Sequence, residues 1–130
     1  MALLLNSLKS ILWITRRNEK DVIDVYNSLT PFVQDALADP NNYMLNFGYW
    51  TRNTTSPIEA QIQLCRVVGE FADLQSAKKV IDIGSGLSAP AMLWKSMYNN
   101  LDIICIDINI KNLTAALQKI SLPNTIIAKS

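Results

Sequence analysis

Two patterns of apolar positions divide the chain. Up to residue 78 apolar residues recur at intervals of three or four, as on amphipathic helices. From Lys79 onward they gather in short unbroken runs separated by helical stretches. Residues 1–14 are apolar, interrupted by Asn6, Ser7, Lys9 and Ser10, and read as an amphipathic helix packed on the domain. Asn18 can cap a helix over 19–28, with Val22, Val25, Tyr26 and Leu29 at helical spacing. Thr30 is then expected to cap a second, short helix that begins at Pro31, carries Phe32, Val33, Ala36 and Leu37 on its apolar face, and stops at Asp39-Pro40-Asn41-Asn42. Residues 43–55 form a loop rich in aromatic and polar groups. Ser56, Pro57 and Glu59 make a capping box for the next helix. Its stripe of Ile58, Ile62, Cys65, Val68 and Ala72 predicts a face laid on a core.

The second half alternates. Val80-Ile81-Asp82-Ile83 is a short apolar run that ends in Gly84-Ser85-Gly86, which fits a buried parallel strand. Residues 89–98 are helical in composition, and 101–108 (LDIICIDI) read as a second buried strand. Asn109 can cap a helix over 110–119, Pro123-Asn124 is a turn, and 125–128 begin a third strand. This alternation predicts an α/β fold: a Rossmann-like, doubly wound parallel sheet, incomplete, with its first three strands preceded by N-terminal helices. The chain divides into N-terminal helices and an aromatic loop over 1–55, and the first half of the α/β domain over 56–130.

Composition narrows the chemistry. The chain has 130 residues, a net charge of +1, 49% hydrophobic and 18% charged residues, which suits one ordinary folded domain. Near-neutral charge argues against binding nucleic acid through a basic surface. The absence of histidine removes His metal ligands and His general bases. Cys65 and Cys105 are too few for a disulfide framework and read as reduced, packed thiols of a cytoplasmic protein. Residues 1–17 are too short to span a bilayer, and Arg16 and Arg17 follow the apolar stretch instead of preceding it as in a signal peptide. Trp13, Arg16 and Arg17 leave room for peripheral membrane contact by residues 1–17.

The glycine turn carries the candidate site. Gly84 and Gly86 sit where a strand becomes a helix, so they accept a tight turn and let a ligand approach the main chain. Amides at the start of the following helix favour an anionic group. Asp107 ends the second strand, 21 residues after Gly86. An acid there accepts hydrogen bonds from the two ribose hydroxyls of an adenosine in such folds. The stretch Gly84 to Ala89 also satisfies the dinucleotide pattern GxGxxG/A, so NAD is weighed. Asp82, two residues before Gly84, argues against it, because a carboxylate there repels a pyrophosphate. S-adenosylmethionine has an ammonium, a sulfonium and an adenosine, and no phosphate. Asp82 suits its cationic end and Asp107 its ribose.

At these residues the chain resembles a family. VIDIGSG followed by IICIDI is similar to the first two motifs of the class I S-adenosylmethionine-dependent methyltransferases, whose mark is the acid two positions before the first glycine. Tyr43-Met-Leu-Asn-Phe-Gly-Tyr-Trp50 resembles the LNxGYW segment of the small-molecule branch, and Pro90 is common there. The resemblance covers residues 43–128. It implies that Asp82, Gly84, Ser85, Gly86, Asp107 and Ile108 hold S-adenosyl-L-methionine, that Tyr49 and Trp50 close over it as part of a lid, and that a small molecule accepts the methyl group. No general base or other catalytic residue is identifiable, and no metal site.

The family's sheet has seven strands, and this sequence supplies three. The resemblance therefore implies an N-terminal part of a longer enzyme or a truncated product, inactive alone, with residues 80–83 as an open edge that invites a partner strand or self-association. Two other readings stand beside it. One is a non-catalytic half-domain that binds an adenosine cofactor weakly or pairs with a partner chain. The other is a fragment of an NAD-dependent dehydrogenase.

Overall fold

A computed structural model describes residues 18–36, 43–119 and 125–129. The helix expected over 1–14, the membrane contact of 1–17, the stop at 39–42 and the turn at Pro123-Asn124 lie outside the described residues.

The first described element is one helix, α1 (Glu19–Ala36), where two were expected. Asn18 caps it, its Oδ1 accepting from the Asp21 N–H at 3.0 Å. Thr30 does not cap a new helix. Its Oγ1 donates back to the Tyr26 carbonyl at 2.8 Å, the i−4 bond that a hydroxyl makes inside a helix. Pro31 then removes only the hydrogen bond it would have given to the Asn27 carbonyl, and the helix runs on.

Helix α2 (Pro57–Phe71) starts as expected, with the Glu59 N–H on Ser56 Oγ at 3.2 Å. The Glu59 carboxylate reaches one residue further back than a standard capping box. It accepts from the Thr55 N–H at 2.8 Å and Thr55 Oγ1 at 2.9 Å, and these bonds hold its carboxyl below the usual value. The buried stripe is not the expected one. Ala60, Gln61, Cys65 and Gly69 are buried, Ile58 and Ile62 are half-buried, and Val68 and Ala72 are exposed. Small residues win this face because the helix lies close to its neighbour. A Cβ on Gly69 would stand 3.1 Å from Tyr98 Oη, and Trp94 Nε1 donates to the Cys65 carbonyl at 2.8 Å.

Three strands follow, β1 (Lys79–Ile83), β2 (Asp102–Asp107) and β3 (Thr125–Lys129), in spatial order β1-β2-β3 with both pairings parallel. Helix α3 (Ala89–Met97) links β1 to β2, and α4 (Ile110–Lys119) links β2 to β3. The core lies between α3 and one face of the sheet: Ala91 and Trp94 pack with Ile103 and Cys105, closed by Leu74 and Leu101. Val80 joins them from β1. Lys95 is buried there too, its Nζ donating to the Leu101 carbonyl at 2.6 Å.

The expected burial of β1 on both faces is not met. Its exposure alternates, and Ile81 and Ile83 are 57% and 80% exposed. They stand in register with Ile104 and Ile106 on the face opposite the core. Both crossovers step the same way across the sheet, so right-handed connections put α3 and α4 on one side. Among the described residues the other side of β1 lacks a cover, and β1 is an edge. No helix among the described residues is long and apolar enough to cross a membrane.

Candidate functional site

The register Ile83↔Ile106 brings the carboxyl ends of β1 and β2 side by side. The chain turns there through Gly84 (φ +75) and Gly86 (φ +54), left-handed conformations that other residues adopt only at a cost. A Cβ on either glycine would meet nothing within 4 Å, so the space over the turn is open. The amides of Gly84, Ser85 and Gly86 are all taken within the protein. The N–H groups of Gly84 and Ser85 donate to the Ile106 carbonyl at 2.8 and 3.1 Å, and that of Gly86 donates to Asp107 Oδ2 at 2.7 Å.

Asp107 therefore braces the glycine turn. Its other oxygen, Oδ1, accepts from the Asn109 N–H at 2.7 Å. A carboxylate has about four acceptor positions, so two remain for a ligand. Asn109 is buried and caps α4 as expected, its Oδ1 accepting from the Lys111 N–H at 3.1 Å. Above these groups lies a cavity of about 460 Å³. Gly84, Ser85, Gly86, Asp107 and Ile108 form one wall. Val22, Ile23 and Tyr26 of α1 and Tyr43, Leu45 and Asn46 of the loop line the cavity as well. No lysine or arginine is among the described lining residues.

Asp82 lies off this wall, on the core face of β1 in register with Cys105. Its Oδ2 is buried and has no hydrogen-bond partner. Burial pushes its carboxyl above the usual range, and the charge of Asp107 adds to the shift. Burial likewise raises the thiols of Cys65 and Cys105, and the Asp82 charge adds to both. Both cysteines are free and buried, and they stay protonated and unreactive.

Tyr49 and Trp50 also lie off the cavity wall, about half exposed. Their loop is pinned from below. The Tyr49 N–H donates to the Ala60 carbonyl at 2.8 Å, and a side chain on Gly48 would collide with Ala60. Gln61 Nε2 donates to the Asn46 carbonyl at 2.8 Å. Trp50 Nε1 donates to the Phe47 carbonyl at 3.0 Å. Tyr43, Leu45 and Asn46 reach the cavity, and Tyr49 and Trp50 do not. Sequence reasoning passed over Asn46, Asn109 and the α1 residues as site groups. Asn109 was visible only as a cap, and Asn46 only as a letter of the LNxGYW segment. No metal-binding cluster occurs among the described residues.

No family model matches the chain. A curated relative, erythromycin 3''-O-methyltransferase of Saccharopolyspora erythraea, is 25% identical over 93 residues, which is 72% of this chain and 30% of that protein. Among solved structures, the cyclase SpnF matches with a TM-score of 0.72 at 19% identity, over 88% of this chain and 43% of that one. Coclaurine N-methyltransferase, bound to N-methylheliamine and SAH, matches with a TM-score of 0.63 at 13% identity, over 98% of this chain and 49% of that one. The chain has a methyltransferase-like fold. It spans less than half the length of each of these three proteins. One of the three is a cyclase, so the methyltransferase-like fold does not by itself name the reaction.

Proposed function

We propose that the chain is the cofactor-binding part of an S-adenosylmethionine-dependent methyltransferase with a small-molecule acceptor, its three strands being the first of a Rossmann-like sheet. One observation carries this reading. The cavity offers a carboxylate, Asp107, over a glycine turn whose amides already hold protein acceptors, and no cationic side chain. A dinucleotide would bring a pyrophosphate to a turn where the amides of Gly84, Ser85 and Gly86 are already taken and no lysine or arginine is among the described lining residues. S-adenosylmethionine brings none. The two remaining acceptor positions of Asp107 suit vicinal ribose hydroxyls. Asp82, behind the cavity wall, would act on the cofactor's cationic group through water. Gly84, Ser85, Gly86 and Ile108 would form the surface on which the cofactor lies. Tyr49 and Trp50 belong to the proposal as a cover, supported by their attachment to the segment that lines the cavity.

The cofactor would supply an activated methyl group on sulfur. The chain's part is to bind it, fix its orientation and keep an acceptor in line. Calorimetric titration of the purified chain with S-adenosylhomocysteine, with NAD as control, tests the reading. Saturable binding of the first alone is expected. Preference for NAD overturns it and restores the dehydrogenase reading. A second reading draws on the length comparison: a half-domain that binds the cofactor without transferring methyl. Binding of S-adenosylhomocysteine with no methyl transfer to any small acceptor favours that one.

A further inference from the structure

We infer that Asn27 is a positioning residue that docks α1 on the cavity wall and thereby slows departure of the bound ligand. The inference rests on the cofactor reading above only for the identity of that ligand. Helix α1 lines the same cavity as Asp107 through Val22, Ile23 and Tyr26. Asn27 lies one turn beyond Ile23, on the same side of the helix. Its Oδ1 accepts from Asn109 Nδ2 at 2.9 Å, joining positions 82 residues apart.

The direction of that bond is fixed by the site. Asn109 gives its N–H to Asp107 and its Oδ1 to the Lys111 N–H, so its Nδ2 has to face α1. Turning the amide over would break the cap of α4 and leave two oxygens opposed. Gly86, Asp107, Asn109 and Asn27 thus form one line of hydrogen bonds from the glycine turn to α1. Over residues 18–31, Thr30 is buried and the apolar side chains of Val22, Ile23, Val25 and Leu29 are half-buried. Where this stretch is only half-buried, one well-placed hydrogen bond adds directly to its docking.

Two variants of the full chain test this. Asn27→Leu keeps the volume and removes the acceptor. Asn27→Asp keeps an acceptor oxygen. Hydrogen exchange without ligand should be about tenfold faster in Asn27→Leu across the α1 amides, with β2 amides unchanged as the folding control, and within about threefold of wild type in Asn27→Asp. Stopped-flow dissociation of S-adenosylhomocysteine should speed up about tenfold in Asn27→Leu, with association changed less than about threefold. Unchanged α1 exchange in Asn27→Leu overturns the inference. So does equal loosening by both variants, which would show that the acceptor oxygen of Asn27 is not what holds α1. Faster α1 exchange with unchanged dissociation overturns the link to the ligand. A wild-type chain that takes no S-adenosylhomocysteine, while α1 responds to Leu and not to Asp, supports the docking role and overturns the cofactor reading instead.

Discussion

β1 and β2 are neighbours with nearly the same composition, short isoleucine-rich runs that each carry an acid near the carboxyl end. Their surroundings differ in every respect. β2 is central and buries Ile103 and Cys105, and its acid, Asp107, accepts two main-chain hydrogen bonds. β1 is an edge with Ile81 and Ile83 exposed, and its acid, Asp82, has a buried oxygen with no partner. Asp107 stabilises the fold whether or not a ligand is present. Asp82 costs stability until a donor or cation arrives, as groups kept for binding commonly do.

The largest effect should come from the β2 side. Asp107→Ala leaves the Gly86 and Asn109 amides without their acceptor and removes the proposed ribose contact. Stability should fall by about 2–3 kcal/mol in urea, since hydrogen bonds to a charged group are the stronger kind. Affinity for S-adenosylhomocysteine should fall about 100-fold by calorimetry. Loss of stability with unchanged affinity would leave Asp107 a brace alone and sink its ribose role. Next in size is Gly86→Ala. The added methyl meets no atom, so the cost is the left-handed backbone, about 1–2 kcal/mol of unfolding free energy. A cost near zero would mean that the turn relaxes in solution.

The β1 side predicts the opposite sign. Asp82→Asn removes a buried, unpartnered charge and should raise stability by about 1 kcal/mol at neutral pH while weakening cofactor binding. The sign follows from the raised carboxyl. The folded state holds this proton more tightly than the unfolded chain, so the contribution of Asp82 to stability is most favourable at low pH and is lost as pH rises through the folded value. The advantage of Asp82→Asn should therefore shrink as the pH falls through the carboxylate range. A gap between variant and wild type that does not vary with pH would refute the assignment.

Local signals account for what the sequence revealed. Ser56 and Asn109 announce their helices because a cap acts within three residues, and short apolar runs bounded by glycine mark β1 and β2. What stayed hidden depends on partners far along the chain. Thr30 before Pro31 has the form of a helix start, and only the accepting carbonyl of Tyr26 makes it an interior residue. Hydrophobicity puts Val68 on the buried stripe of α2 beside Cys65, whereas close contact with α3 buries Gly69 and leaves Val68 exposed. Within the LNxGYW segment, Gly48 sits against Ala60 of α2, Asn46 meets the cavity and Trp50 does not, and none of this has a local signature. The amide pair Asn27–Asn109 has no local signature at all.

The smallest effect tests the bare face of β1. Ile81 is 57% exposed and stands beside Ile104 on the side away from α3. Ile81→Thr keeps a β-branched side chain, so the strand loses little propensity. With no packing to lose, unfolding free energy should change by less than about 0.5 kcal/mol, the usual range for exposed positions. The same change removes apolar surface from an unpaired edge, so light scattering at high protein concentration should grow more slowly than in wild type. A loss of about 2 kcal/mol or more would show that something covers Ile81 in solution. β1 would then be an inner strand like β2, and the contrast between the two would end with the acids.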